Sequence, residues 1–176
     1  TPRAIRMIIK DNIKGKNMQL LIATTNPGKI REIRNLLNET NVEILTPTDI
    51  GLELIVDETG ITYQENAEMK AIAYHKASHL PVLADDSGLE VEALGGLPGI
   101  RSARFANSKN AIDHDRRSLL LQKLSSHPRP WKARFVCVAT LLIPGKSSIS
   151  KIGECKGEII PEERGEEGFG YDPIFL

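Results

Sequence analysis

Hydrophobic positions along this chain fall in short blocks whose spacing changes from segment to segment. Residues 18–23 form a largely apolar run, the mark of a buried strand. Ile30, Ile33, Leu36 and Leu37 then recur at helical spacing and predict an amphipathic helix to about Asn38. Residues 42–45 predict a second strand, followed by a loop around Pro47 and Gly51. Thr62 and Glu65 stand in capping-box spacing, and Tyr63, Ala67, Ala71 and Tyr74 share one face of a helix ending near Ser78. Residues 81–84 read as a short strand that opens into the turn Asp85-Asp86-Ser87-Gly88, with 89–94 as a separate strand. A third helix is expected from about 110 to 124, buried through Ile112, Leu120 and Leu124. Residues 133–143 are the longest strand candidate. Ala133, Phe135, Cys137, Ala139, Leu141 and Ile143 alternate with Lys132 and Arg134, then with Val136 and Val138, so the middle is expected to be buried on both faces. Pro144-Gly145 turns into a partner strand over 148–157. Early alternation of strands and helices with a late hairpin predicts an α/β fold, a mixed sheet covered by helices.

Composition narrows the class. The chain has 176 residues, 40% hydrophobic and 26% charged, with 23 basic and 23 acidic side chains. That is ordinary globular composition, long enough for a real core. The balanced charge argues against a dedicated nucleic-acid or membrane-surface binder but leaves room for a local anion pocket. No stretch approaches the roughly 20 apolar residues of a membrane span. Two cysteines, Cys137 and Cys155, are too few for a disulfide scaffold, which makes a reducing cytoplasm the default. Residues 1–17 carry Arg3, Arg6, Lys10, Lys14 and Lys16 around the short apolar run Met7-Ile8-Ile9. They read as a disordered or artefactual leader ahead of Met18, with a transit peptide as the alternative. Residues 18–176 then form the domain. It closes on the strand-like Tyr171-Asp172-Pro173-Ile174-Phe175-Leu176, which reads as the end of a fragment.

Four constellations have chemical potential. Thr25-Asn26-Pro27-Gly28-Lys29 joins a strand to a helix, where backbone N–H groups, the positive helix end and Lys29 suit phosphate. The same letters equally describe a turn and an N-cap. Asp85-Asp86 at a strand end crowds two carboxylates in a way that a shared Mg²⁺ relieves, although a solvated turn fits as well. Asp57-Glu58 is a second acidic pair, placed where acids also stabilise a helix N-terminus. Gly168-Phe169-Gly170-Tyr171-Asp172 sets glycines around two aromatics, able to close on a flat nucleobase or to tuck the rings into a core. His75 and His79 lack the glutamate of a zinc helix motif and read as surface residues.

These segments together resemble one family. The anchors are Thr25-Asn26-Pro27-Gly28-Lys29 with Glu32, Glu58-Thr59-Gly60 with Glu65-Asn66-Ala67 and Lys70-Ala71, and Leu83-Ala84-Asp85-Asp86-Ser87-Gly88-Leu89. They continue with Leu94-Gly95-Gly96-Leu97-Pro98-Gly99-Ile100, Ser102-Ala103-Arg104 and Gly168-Phe169-Gly170-Tyr171-Asp172-Pro173. In this order they resemble the inosine/xanthosine triphosphate pyrophosphatases, the Ham-like house-cleaning enzymes. The resemblance implies a long central mixed sheet, two lobes around a nucleotide cleft and a homodimer. It implies Mg²⁺-dependent hydrolysis of ITP, dITP or XTP to monophosphate and pyrophosphate. By position, Thr25, Asn26, Gly28, Lys29 and Lys70 would hold the triphosphate, and Ser87 would lie beside it. Asp86 would bind metal and activate water, with Asp57 or Glu58 as the other metal-side acid. Phe169, Gly170, Tyr171 and Asp172 would form part of the base pocket. The family pattern continues with a further lysine, a Ser-His-Arg segment and a closing helix that this sequence does not contain, so weak base selection is expected. Two alternatives are a nucleotide-binding or sensing protein without turnover and a Maf-like pyrophosphatase for other modified nucleotides. The acids and lysines favour an enzyme, and the 169–172 stretch favours the purine branch.

Overall fold

Asn26 starts a helix because its side-chain oxygen accepts from the N–H groups of Gly28 and Lys29, while Pro27 supplies a preset φ at the first helical position. Thr62 does the same for a second helix by accepting from Glu65 N, and Glu65 reaches back to Ile61 N. In the computed structural model, which describes residues 2–13, 18–38, 40–106, 108, 110–165 and 168–176, these become α2 (Pro27–Leu37) and α3 (Tyr63–Ser78). The other α-helices among the described residues are α1 (Pro2–Asn12) and α4 (Asp113–Leu124). The strands are β1 (Met18–Ile22), β2 (Val42–Leu45), β3 (Val82–Val91), β4 (Trp131–Leu142) and β5 (Ile149–Ile159). They form one mixed sheet in the order β2-β1-β3-β4-β5, flanked by helices as the sequence predicts. β1 runs parallel to β2, with Met18 opposite Val42, and parallel to β3, with Leu21 opposite Val82.

The chain divides into two compact units, Thr1–Asp86 with Cys137–Gly153 and Ser87–Val136 with Glu154–Leu176. In the first unit strand parity sorts the core. Leu20, Ile22 and Leu83 pack with Ile33 and Leu37 of α2, whereas Leu21, Ala23, Val82 and Ala84 pack with Ala71 and Tyr74 of α3. The second unit is built on Leu89, Val91, Leu120, Leu124, Trp131, Ile159, Tyr171 and Ile174. In it Leu176 and Glu158 exchange two backbone hydrogen bonds, so the closing residues pair along β5. A β-carbon at Gly157 would lie 2.1 Å from the Leu176 carbonyl oxygen, which is why this position takes glycine.

Three expectations change. Residues 2–12, expected to be disordered, form the helix α1. Ala4, Ile5, Ile8 and Ile9 lie on one helical face and are at most 2% exposed in the first core cluster. The segment over 81–94 is not two strands around a turn, because β3 runs unbroken through Asp85-Asp86-Ser87-Gly88. Its neighbour β4 is twelve residues long, and ladder pairing overrides the local turn signal. Ile112 is exposed, because α4 begins only at Asp113 and Ile112 precedes its apolar face. Elsewhere the alternation of β4 holds, with Lys132 and Arg134 exposed and Val136 and Val138 buried. Among the described residues no helix is long and apolar enough to cross a membrane.

Candidate active site

The continuity of β3 decides what its two aspartates do. Neighbours in a strand point to opposite faces, so Asp85 follows Leu83 and Asp86 follows Ala84. Asp85 is 4% exposed and meets Lys29 of α2, with Nζ 2.6 Å from Oδ2. Asp86 is 6% exposed and meets α3. Asn66 Nδ2 donates to Asp86 Oδ2 at 3.1 Å, and Lys70 Nζ stands 3.9 Å from Asp86 Oδ1. Lys70 also pairs with Glu58 at 2.7 Å. The carbonyl oxygen of the fully buried Asn66 side chain accepts from Gly60 N at 2.8 Å, which ties the segment after Glu58 to the same helix. The approach is close, since a β-carbon on Gly60 would lie 2.7 Å from Asn66 Oδ1.

Along 51–60 burial alternates residue by residue, with Glu58 half-buried and Asp57 exposed. Glu58 is therefore the acid brought to Lys70, and Asp57 is not. Asn26 and Thr25 are exposed, and Asn26 is committed to capping Gly28 and Lys29, so those two N–H groups serve the helix. Ser87 follows Asp86 in β3 and is half-buried.

Burial pushes the Asp86 carboxyl above its ordinary value, against the opposing pull of the Lys70 charge and the Asn66 hydrogen bond. Burial works against the Lys29 charge too, yet the Asp85 carboxylate beside it outweighs this and raises the ammonium pKa. On one face of β3 Asp85 pairs with Lys29, and on the other Asp86 and Glu58 meet Lys70. A triphosphate that approaches these carboxylates is repelled unless a cation comes with it. Among the described residues no group of three or more His, Cys, Asp and Glu is placed to hold a metal alone. Asp86 with Glu58 nonetheless suits Mg²⁺, which takes one or two carboxylates and fills its shell with water and substrate phosphates.

In the second unit the 169–172 stretch is a tight turn. Tyr171 is 5% exposed and its hydroxyl donates to the Ser102 carbonyl at 3.0 Å, so it is a core residue and its ring is not offered to a base. Asp172 Oδ2 accepts from Phe169 N at 2.9 Å. Gly170 takes a positive φ of 62°, and Phe169 is half-buried. Elsewhere His79 ends α3 in the left-handed conformation and is exposed, while His75 Nδ1 lies 2.7 Å from the Leu80 carbonyl. Neither reaches the acids described above.

Residues 20–176 match the Ham1 family. The chain belongs to the Ham1 family. It is 45% identical over 161 residues to a dITP/XTP pyrophosphatase of Deinococcus deserti, covering 92% of this chain and 74% of that one. It is 40% identical to a dITP/XTP pyrophosphatase of Bacillus subtilis, covering 90% and 80%. Among solved structures, a HAM1 protein from Coxiella burnetii superposes with a TM-score of 0.79 at 38% identity, covering 90% of this chain and 81% of that one. Within this Ham1 chain, Asn66 is the residue that sequence reading left without a role. Its signal was present: Asn66 and Lys70 fall on the same helical face as Tyr63, Ala67, Ala71 and Tyr74, two polar groups on an otherwise apolar stripe.

Proposed function

We propose that this Ham1 protein hydrolyses non-standard purine nucleoside triphosphates, ITP, dITP and XTP, to the monophosphate and pyrophosphate. The observation that carries this is the buried carboxylate Asp86, held by Asn66 and facing the Lys70–Glu58 pair, in a chain whose relatives are named dITP/XTP pyrophosphatases. Family membership further supports a homodimer working in the cytoplasm.

Asp86 is the general base in this reading. It takes a proton from a water whose oxygen attacks the α-phosphorus. The bond from that phosphorus to the oxygen bridging to the β-phosphorus breaks, and pyrophosphate leaves with the electron pair. A carboxyl pushed up by burial is a better base than an ordinary one, and the Lys70 charge and the Asn66 hydrogen bond oppose that rise by favouring the charged form. Asp86 and Glu58 are the residues to hold Mg²⁺, which when bound screens the phosphate charge and orients the α-phosphate. Lys70, on the same face as Asp86, and Lys29 supply positive charge toward the phosphate chain. Thr25, Asn26 and Gly28 shape the turn that presents Lys29, and Ser87 continues β3 beside the acid. Phe169 supplies the surface on which the purine stacks, while Tyr171 and Asp172 hold its turn.

The test is a substrate panel. With Mg²⁺, the purified chain is expected to release pyrophosphate from ITP, dITP and XTP faster than from ATP or GTP. Tight binding of ITP without release would make it a nucleotide sensor, and preference for a modified pyrimidine would place it with the Maf-like enzymes.

A further inference from the structure

The backbone of Gly170 is held on both sides by one helix. Asp113, the first residue of α4, accepts from Gly170 N through Oδ2 at 2.8 Å. Arg117, one turn further along, donates from Nη1 to the Gly170 carbonyl at 2.8 Å. Neither side chain is loose. The Asp113 carboxylate is paired through Oδ1 with Arg116, which also donates to the Ala111 carbonyl. Arg117 is 12% exposed and grips Glu163 with two parallel bonds, Nε to Oε1 at 2.8 Å and Nη2 to Oε2 at 3.0 Å, the strong fork geometry of a guanidinium on a carboxylate. One arginine thus ties residue 163 to residue 170.

We propose that Asp113 and Arg117 are positioning residues for the nucleobase: by clamping Gly170 they fix the ring of Phe169 in the pose that stacks on the purine. This rests on the pyrophosphatase reading. The accounting of polar groups leads to it. Both backbone groups of Gly170 are occupied by the clamp, the Phe169 N–H is occupied by Asp172, and the Tyr171 hydroxyl is occupied by Ser102. None of these is left to read a base edge, and with Tyr171 buried the aromatic face that this turn leaves accessible is that of Phe169. Phe169, Asp113, His114 and Arg117 line one cavity of about 450 Å³, within the range of small-molecule sites. A turn with positive φ at Gly168 and Gly170 has many conformations to lose, and a stacking surface is effective only if that entropy is removed before the ligand arrives. Because every base has a π-face, stacking adds affinity without telling purines apart. The clamp is therefore predicted to control how tightly base-bearing nucleotides bind, and to leave both base-free polyphosphates and the ratio of ITP to ATP unaffected.

The experiment measures dissociation constants for ITP, ATP and inorganic tripolyphosphate by calorimetry with Ca²⁺ in place of Mg²⁺. It uses the wild type, Phe169→Ala, Arg117→Ala, Asp113→Ala and Asp113→Asn. Amide exchange over residues 168–175 is followed in parallel. Phe169→Ala is expected to weaken ITP by about 5- to 150-fold, the range of one base–aromatic stack. Arg117→Ala and Asp113→Ala are expected to weaken ITP and ATP together by several-fold, less than Phe169→Ala, to leave tripolyphosphate unchanged, and to speed exchange at Gly170. Asp113→Asn, which keeps an acceptor for Gly170 N, is expected to restore most of the affinity. Equal weakening of tripolyphosphate would show a general structural defect and overturn the proposal. Unchanged ITP binding in both alanine variants would overturn it as well. Absence of turnover in the wild type would sink the pyrophosphatase reading alone, since binding and exchange decide the clamp without catalysis.

Discussion

Asn66→Ala is the most informative single change in the first unit. The side chain is fully buried and makes two bonds at once, accepting from Gly60 N at 2.8 Å and donating to Asp86 Oδ2 at 3.1 Å. Truncation leaves the partly buried Gly60 N–H without its acceptor, at about 1–3 kcal/mol, and removes a hydrogen bond to a carboxylate, at about 1.5–3 kcal/mol. The two losses share one side chain and do not simply add, so about 3 kcal/mol is expected. At this chain length each kcal/mol lowers the melting temperature by about 2–4 °C, which gives a drop of roughly 6–12 °C. Turnover of ITP should fall further than stability explains, because Asp86 loses the donor that orients it and favours its ionised form. The assay is thermal and urea unfolding of Asn66→Ala, Asp86→Asn and the double variant, with pyrophosphate release measured on each. The cycle should return a coupling between the two residues of about 0.5–3 kcal/mol. A melting temperature within 1–2 °C of wild type, or a coupling near zero, would refute the claim that Asn66 holds Asp86.

Two further predictions concern the rest of the chain. Burial first, and the Asp85 charge second, push the Cys137 thiol up to about 12, so at pH 8 about one molecule in ten thousand carries the thiolate. An aromatic disulfide reagent should therefore titrate one thiol quickly, the exposed Cys155, and the second only after denaturation. Two fast thiols in the folded protein would contradict the packing of β4. Ile8→Ala in α1 removes a side chain that is 0% exposed and should cost about 2–5 kcal/mol in urea unfolding. A cost below about 0.5 kcal/mol would mean that α1 does not belong to the core.

What could be read from the sequence was what depends on near neighbours. The Thr62–Glu65 cap and the buried face of Tyr63, Ala67, Ala71 and Tyr74 follow from helical spacing alone, and so does the alternation of β4. The face of Ala4, Ile5, Ile8 and Ile9 was equally local, but three adjacent apolar letters among basic ones concealed its period. The course of β3 was not local. Asp85-Asp86-Ser87-Gly88 has turn chemistry, and only pairing with β4, some fifty residues later in the chain, keeps it extended. That pairing separates the two aspartates onto opposite faces, gives Asp85 to Lys29 and leaves Asp86 to Asn66 and Lys70. The choice of Glu58 over Asp57 likewise needed the alternation of the 51–60 segment against α3. The clamp on Gly170 joins residues more than fifty positions apart and carries no local mark.

Asp86 as the base that drives cleavage at the α-phosphorus is tested most directly by steady-state release of pyrophosphate from ITP by Asp86→Asn at saturating Mg²⁺. Asparagine keeps the size of the side chain and removes both the proton acceptor and the charge. A loss of about 10²-fold or more in kcat is expected with the fold retained, as judged by circular dichroism and melting. Near-wild-type pyrophosphate release from the folded variant would contradict it.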